Sequence, residues 1–189
     1  MGIGNYTTDR RTHMQHPVKT KIYNTVSLDE AKRHLRIDED WDKDNDYVRQ
    51  LIYVATESVE QYIGKDVALT SNALSLWNFV DDEFYIEEGN VISIDSVVTD
   101  SSTSISVSMN DIGYSRTYVE LSTNVTSDPL YVTYTTGFND GECPYPIKHA
   151  ILIRIGDLYD MERASYAPGV FKETKAWQRL VESYKLITY

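Results

Sequence analysis

The sequence predicts an α+β protein: an antiparallel helical body of about four helices, with an antiparallel, β-rich insertion between the second and third. Three observations lead there. Apolar residues recur at helical spacing before residue 67 and after residue 144, and at two-residue spacing in between. Thr, Ser, Val, Ile and Tyr crowd that middle stretch, where turn formers recur at EEGN (87–90), MND (109–111) and TSDP (126–129). The chain of 189 residues is 41% hydrophobic and 25% charged, a globular composition sufficient for one substantial core or two small ones.

Taken in order, residues 1–26 read as an N-terminal arm. They lack an apolar period, carry a small basic cluster (Arg10, Arg11, Lys19, Lys21) and end in a short apolar stretch. Such an arm is either disordered alone or tied down by a neighbour. The first helix is signalled by SLDEAKRHLRI. Ser27 stands at the N-cap and Glu30, three residues on, completes a capping box. Asp29 and Glu30 fall at the positive helix end and Lys32, Arg33 and Arg36 toward the negative end; Leu28, Ala31 and Leu35 share a face. The stretch 38–46 (DEDWDKDND) is too acidic to pack. A second helix runs from about Asp44 or Asp46 to Ile63, with Val48, Leu51, Ile52, Ala55, Val59, Tyr62 and Ile63 on one stripe and Gly64 placed to end it.

Strands are expected at 74–80, 84–87, 91–99, 103–109, 114–122 and 130–136, antiparallel with short loops; Ile105, Val107 and Met109 would face one side. A third helix starts near Pro146, which suits the first helical position. Its stripe is Ile147, Ala150, Ile151, Arg154, Ile155, Leu158 and Tyr159, widened by Ile153. A loop (ASYAPGV) precedes a last helix from about Lys172, with Trp177, Leu180, Val181 and Tyr184 in register. The expected organisation is an arm (1–26), a helical body (27–66 and 139–164), a β-rich insertion (67–138) and a C-terminal docking loop and helix (165–189). Helices two and three should pack together, with the β module as an appendage.

Charge narrows the function. Lys and Arg total 18 against 29 Asp and Glu, so the net charge is 18 − 29 = −11. Such a surface should not grip phosphate backbones or anionic membranes. No run of about 18 apolar residues suggests a membrane span, and the polar N-terminus has no apolar signal core. One cysteine, Cys143, excludes a disulfide framework and a cysteine-built zinc site. The 15 Tyr, 4 Phe and 3 Trp point instead to contact surfaces, because these rings supply area at low rotamer cost.

Candidate chemistry is sparse. Asp42, Asp44 and Asp46 alternate like the start of a calcium loop, but Tyr47 stands where the turn glycine belongs and Tyr53 where the bidentate Glu belongs. A solvated acidic loop favouring the second helix is the better reading. His13, His16, His34 and His149 show no metal-binding spacing, and Cys143 reads as a buried or half-exposed thiol. No nucleophile-elbow, phosphate-loop or dinucleotide pattern occurs. Neither catalysis, a cofactor nor a metal is therefore expected. The aromatics Tyr166, Phe171, Trp177, Tyr184 and Tyr189 are the candidate partner-binding residues. For Trp177 and Leu180, taken alone, a core position is favoured; for Tyr166, Phe171 and Tyr189 a partner contact weighs equally.

Two segments carry a family resemblance. VSLDEAKRHLRIDEDWDKDNDYVRQLIYVATESVEQYIGKDV resembles the opening of the tailed-phage head–tail connector (adaptor, or head completion) proteins: a Leu-x-x-Ala-Lys-x-x-Leu-Arg-Ile helix, an acidic loop and a long helix ending near Gly-Lys. VTYTTGFNDGECPYPIKHAILIRIGDLYDMER is similar to a strand ending Tyr-Thr-x-Gly-Tyr/Phe, then a proline and a helix closing Leu-Tyr-x-x-Arg. The anchors here are Leu28, Ala31, Lys32, Leu35, Arg36, Gly64, Tyr134, Gly137, Phe138, Pro146, Ala150, Leu158, Tyr159 and Arg163. The resemblance covers 26–67 and 131–163; residues 68–130 share only β-richness, and the arm is longer than the family pattern.

The resemblance implies a non-enzymatic structural protein of the virion, at the head–tail junction and in the host cytoplasm during assembly. Its relatives form a ring, typically dodecameric, beneath the portal, extend the DNA channel and present a platform to the tail or a stopper protein. Residues 165–189 would engage the portal, so a chain ending at Ala164 should keep a folded body yet fail to join it. Three physical points agree. A ring of acidic subunits repels DNA, which passes without specific binding; tyrosine-rich strands suit closing heterologous interfaces; and terminal segments can order on a partner. The alternative from another class is a non-ring protein-binding or scaffolding module using the β insertion. A weaker third reading, a carboxylate hydrolase built on Asp42 and Asp44, lacks any placement of two carboxylates with separated pKa values.

Overall fold

The structure is a computed structural model and describes residues 12–111, 116–164 and 175–186. The elements are β1 (His13–Met14), β2 (Val18–Tyr23), α1 (Leu28–Leu35), α2 (Asn45–Ile63), β3 (Leu69–Trp77), β4 (Phe79–Ile86), β5 (Val91–Val98), β6 (Val107–Asp111), β7 (Thr117–Ser127), β8 (Leu130–Thr136), α3 (Tyr145–Ala164) and α4 (Ala176–Val181), followed by one 3-10 turn. The class is α+β; β3 to β8 lie between α2 and α3, while β1 and β2 precede α1.

The expected capping box opens α1. The Glu30 N–H donates to the Ser27 hydroxyl at 3.2 Å, and the Ser27 N–H donates to the Glu30 carboxylate at 3.0 Å. Lys148 of α3 reaches the same carboxylate at 2.6 Å. Burial opposes the charge on Glu30, but Lys148 and the cap outweigh it and lower the carboxyl's pKa. Helix α2 ends where Gly64 turns left-handed at φ 73. Val48, Ile52, Ala55, Val59 and Ile63 of α2 meet Ile147, Ala150, Ile151 and Ile155 of α3 in one apolar core, with Ala31 of α1 and Trp177 and Val181 of α4 closing it.

Two antiparallel sheets form the β module. One has the order β1–β3–β8–β5, with β2 also paired to β3; the other is β4–β7–β6. Their inner faces share a second core, with Leu74, Leu76, Leu130 and Val132 from the first meeting Phe79, Phe84, Ile86, Val119 and Leu121 from the second. The Phe79 and Phe84 rings meet edge to face at 6.0 Å.

Several expected boundaries shift. The strand expected at 74–80 covers the end of β3 and the start of β4, because Asn78 adopts φ 54 and bends the chain from the first sheet into the second between Trp77 and Phe79. The strand expected at 114–122 extends to Ser127, and that expected at 103–109 sits at Val107–Asp111. Helix α3 begins at Tyr145, placing Pro146 one residue inside, where its missing N–H is still one of the first-turn orphans. Helix α4 runs from Ala176 to Val181, and the expected start near Lys172 falls in residues 165–174, outside those described.

The larger difference concerns the arm. Residues 18–23 are not free of the core sheet but form a full strand on β3, with Val18 opposite Ala73 and Thr20 opposite Ser71. The alternation in VKTKIY is inverted: Val18 and Ile22 face outward while Lys19 and Lys21 point inward. They do so because the inward side is lined with carboxylates.

Candidate interaction surfaces

Those carboxylates define a polar seam between the two cores. Lys19 Nζ donates to both Asp66 oxygens, at 2.9 and 3.0 Å, and pairs with Glu88 at 3.0 Å. Burial alone would lower its pKa, but Asp66 and Glu88 raise it. Lys21 Nζ lies 2.8 Å from Glu60 Oε2, and Glu60 Oε1 accepts the N–H groups of Val67 and Ala68 at 2.9 Å each. Asp66 also accepts the Thr136 hydroxyl at 2.6 Å, which in turn accepts the Asn72 amide at 2.8 Å. The Tyr134 hydroxyl donates to Glu88 at 2.7 Å, and burial followed by that carboxylate pushes its pKa well up. Of these groups Lys19, Lys21, Glu60, Asp66 and Glu88 line a charged groove with a volume of about 560 Å³, together with Tyr53 and Glu57. Its central charges already answer one another, so it works as a joint rather than an empty receptor.

Gly137 completes the joint. Its φ is 99, and a side chain there would bring Cβ within 2.2 Å of the Ala68 carbonyl oxygen. The Asn90 side chain donates to the Gly137 carbonyl at 2.6 Å. The anchors Tyr134, Gly137 and Phe138 thus sit where β8 leaves the module for α3. Sequence reasoning missed Glu60, Asp66, Lys19 and Thr136; the one available signal was the pair of lysines on alternate positions of β2.

The two sheets present unlike outer faces. On the first, the register places Val18, Ala73 and Thr133 in one row and Thr20, Ser71 and Thr135 in the next, with Trp77 and Tyr131 at one end. Trp77 is 44% exposed, Tyr131 49% and Val18 68%. Asp95, held by Ser93 and Thr135 at 2.7 Å each, is the sole carboxylate on this face among the described residues. On the second sheet Glu83 lies directly opposite Glu120. The Tyr118 hydroxyl donates to Glu83 at 2.6 Å, and that contact first of all pushes the phenol's pKa to about 12.

Of the aromatic candidates, Tyr166, Phe171 and Tyr189 lie outside the described residues. Trp177 is 4% exposed; its ring meets Tyr62 edge-on at 5.4 Å and carries the Arg154 guanidinium at 5.7 Å. Tyr184 is half-buried against the helical core. Glu182 accepts the Tyr62 hydroxyl in a short hydrogen bond, Lys185 stacks over the Tyr62 ring at 4.7 Å, and the Leu186 N–H donates to the Ile63 carbonyl at 2.6 Å. Residues 175–186 therefore seal the end of α2. A chain ending at Ala164 loses Trp177 and Val181 from the core, so the expectation that its body stays intact does not follow.

The remaining candidates have local structural roles. Asp44 accepts the Trp41 indole N–H at 3.0 Å, Asp42 accepts the Asn45 amide at 2.9 Å, and Asp46 pairs with Arg49 at 2.8 Å, all around the entry to α2. The His34 and His149 rings meet at right angles, 6.4 Å apart, between α1 and α3. Cys143 is half-buried, and burial pushes its thiol up to about 12. Among the described residues no cluster of His, Cys, Asp or Glu is placed to hold a metal ion, and no helix is long and apolar enough to cross a membrane.

The fold is thus a two-core frame joined by a seam of paired charges, with two sheet faces turned outward. The chain belongs to the phage gp6-like head-tail connector family, whose model matches residues 25–130. That places it among the structural proteins of the phage virion neck. No curated protein matches the chain. Solved structures similar to it come from gene transfer agent particles. A chain in the neck of an empty particle computed with C6 symmetry shares the fold with a TM-score of 0.68 and 14% identity over 91% of this chain and 97% of that one. A chain from the native particle's virion gives 0.67 and 13%, and one from the native neck computed with C12 symmetry gives 0.66 and 14%, both with the same coverage.

Proposed function

We propose that this protein is a non-catalytic ring adaptor that joins the portal to the tail and extends the DNA channel between them. Family membership over residues 25–130 carries the reading. The shared fold with chains of necks computed with C6 and C12 symmetry supports a ring, and a twelvefold one suits the latter. The charge of −11 supports a channel lining that repels phosphate and lets duplex slide. In this reading the partners are the portal on one side, a tail or stopper protein on the other and identical copies around the ring, assembled in the host cytoplasm. Residues 165–189 remain the candidate portal contact, now narrowed to what they expose beyond the helical core.

The test is the particle mass of the purified protein, alone and mixed with portal, followed by two-dimensional averaging. A closed ring in either sample is the expected result. A monomer that ignores portal would refute the adaptor.

A further inference from the structure

We infer that the outer face of the five-stranded sheet is where one copy of this chain packs against the next in the ring. The inference rests on the ring-adaptor reading above and deepens it by naming the surface.

Electrostatics decides between occupants. Copies that each carry −11 repel wherever charged surface meets charged surface, and the second sheet, with Glu83 beside Glu120, is such a surface. The first sheet's outer face is different: among the described residues Asp95 is its sole carboxylate, and two hydroxyls already hold it. A basic partner would gain nothing there and would do better on the acidic faces. An identical copy can approach that face without meeting its own charge.

The face also has the composition of a buried contact. Trp77 and Tyr131 stand at one end and Val18 in the next row, all more than two-fifths exposed, with Thr133 between. Aromatic residues are enriched and charges depleted at interface centres. Strand β3 has nine residues. At about 3.3 Å per residue, across four strands about 4.8 Å apart, the face spans roughly 30 by 19 Å. That is the same order as the roughly 800 Å² per partner of a stable interface. In a ring each subunit presents this face to one neighbour and a different surface to the other.

The experiment compares wild type with Val18→Glu and Thr133→Glu, alone and with portal, by particle mass. Both positions reach solvent in the free subunit, and urea unfolding confirms that each variant is folded. An added carboxylate at the contact between acidic copies should cut the ring fraction on the order of tenfold or more. In parallel, hydroxyl-radical footprinting of the wild type should show Trp77 and Tyr131 protected in the ring and labelled in dilute monomer. Rings formed equally by wild type and variants, or Trp77 and Tyr131 labelled equally in ring and monomer, would overturn the inference and leave the ring adaptor standing. Variants that form rings but lose portal would assign the face to portal, overturning it as well. A wild type that forms no ring under either condition overturns both readings together.

Discussion

Replacing Trp177 by alanine separates two roles for the C-terminal segment, closing the core and docking a partner. The indole is 4% exposed and lies among Tyr62, Arg154 and the apolar residues of α2 and α3. Loss of a buried Trp costs about 3–5 kcal/mol through lost transfer energy and the cavity left behind. The edge-on contact with Tyr62 accounts for about 1 kcal/mol of that. For a chain of this size each kcal/mol lowers Tm by roughly 2–4 °C, so a fall of roughly 6–20 °C is expected. Trp177→Phe, which keeps a ring in place, should cost roughly 1–2 kcal/mol. Urea unfolding measures both, with the slope unchanged if the denatured state is the same. Partner binding should survive under conditions where the variants remain folded. A Trp177→Ala protein that unfolds at the wild-type midpoint yet no longer associates with portal would refute the core assignment and make the indole a docking group.

Two further predictions concern the joint and the helix pair. Glu60→Ala strands the buried N–H groups of Val67 and Ala68 and leaves Lys21 without its nearest carboxylate, which should cost roughly 2–5 kcal/mol; Glu60→Gln keeps an oxygen for both amides and should cost roughly 1–2 kcal/mol. Equal midpoints for the two variants in urea would show that the amides do not need that oxygen. His34 has its pKa lowered, chiefly by burial and then by His149, so the unfolded chain takes up its proton first as pH falls. The stability it contributes is present above its unfolded pKa of about 6.5 and is lost as pH falls through that value toward the folded one. Tm should thus drop more steeply below pH about 6.5 in wild type than in His34→Gln, and parallel curves would contradict this.

Much of the helical frame was legible because its signals are local. Ser27 with Glu30, and Gly64 after a run of helically spaced apolar residues, act within a few residues of chain and need no tertiary partner. Strand β2 was hidden for the opposite reason. Its inward residues are lysines, which satisfy Glu60, Asp66 and Glu88 across 39, 47 and 69 residues of chain, so its hydrophobic pattern points away from the core. The bend at Asn78 that carries the chain from one sheet to the other was equally hidden, because Trp77 and Phe79 flank it and no Gly or Pro marks it. Sequence assigned Trp177 to a helical stripe correctly, but which side of that stripe would be covered depended on Tyr62 and Arg154, on two other helices. The outer sheet face could not be read before the strands were paired, since its neutrality belongs to rows drawn from β2, β3, β5 and β8 together.

The seam of Glu60, Asp66, Lys19 and Thr136 also sets a direction between helix and sheet. Dispersion between apolar layers has no preferred direction, whereas a carboxylate oxygen accepting two amides at 2.9 Å is bound to particular angles. Glu60 stands near the end of α2 and holds the chain at Val67 and Ala68, so the heading with which the backbone leaves the helix for β3 is fixed by that one side chain. The two cores are thus joined by a link with one preferred orientation.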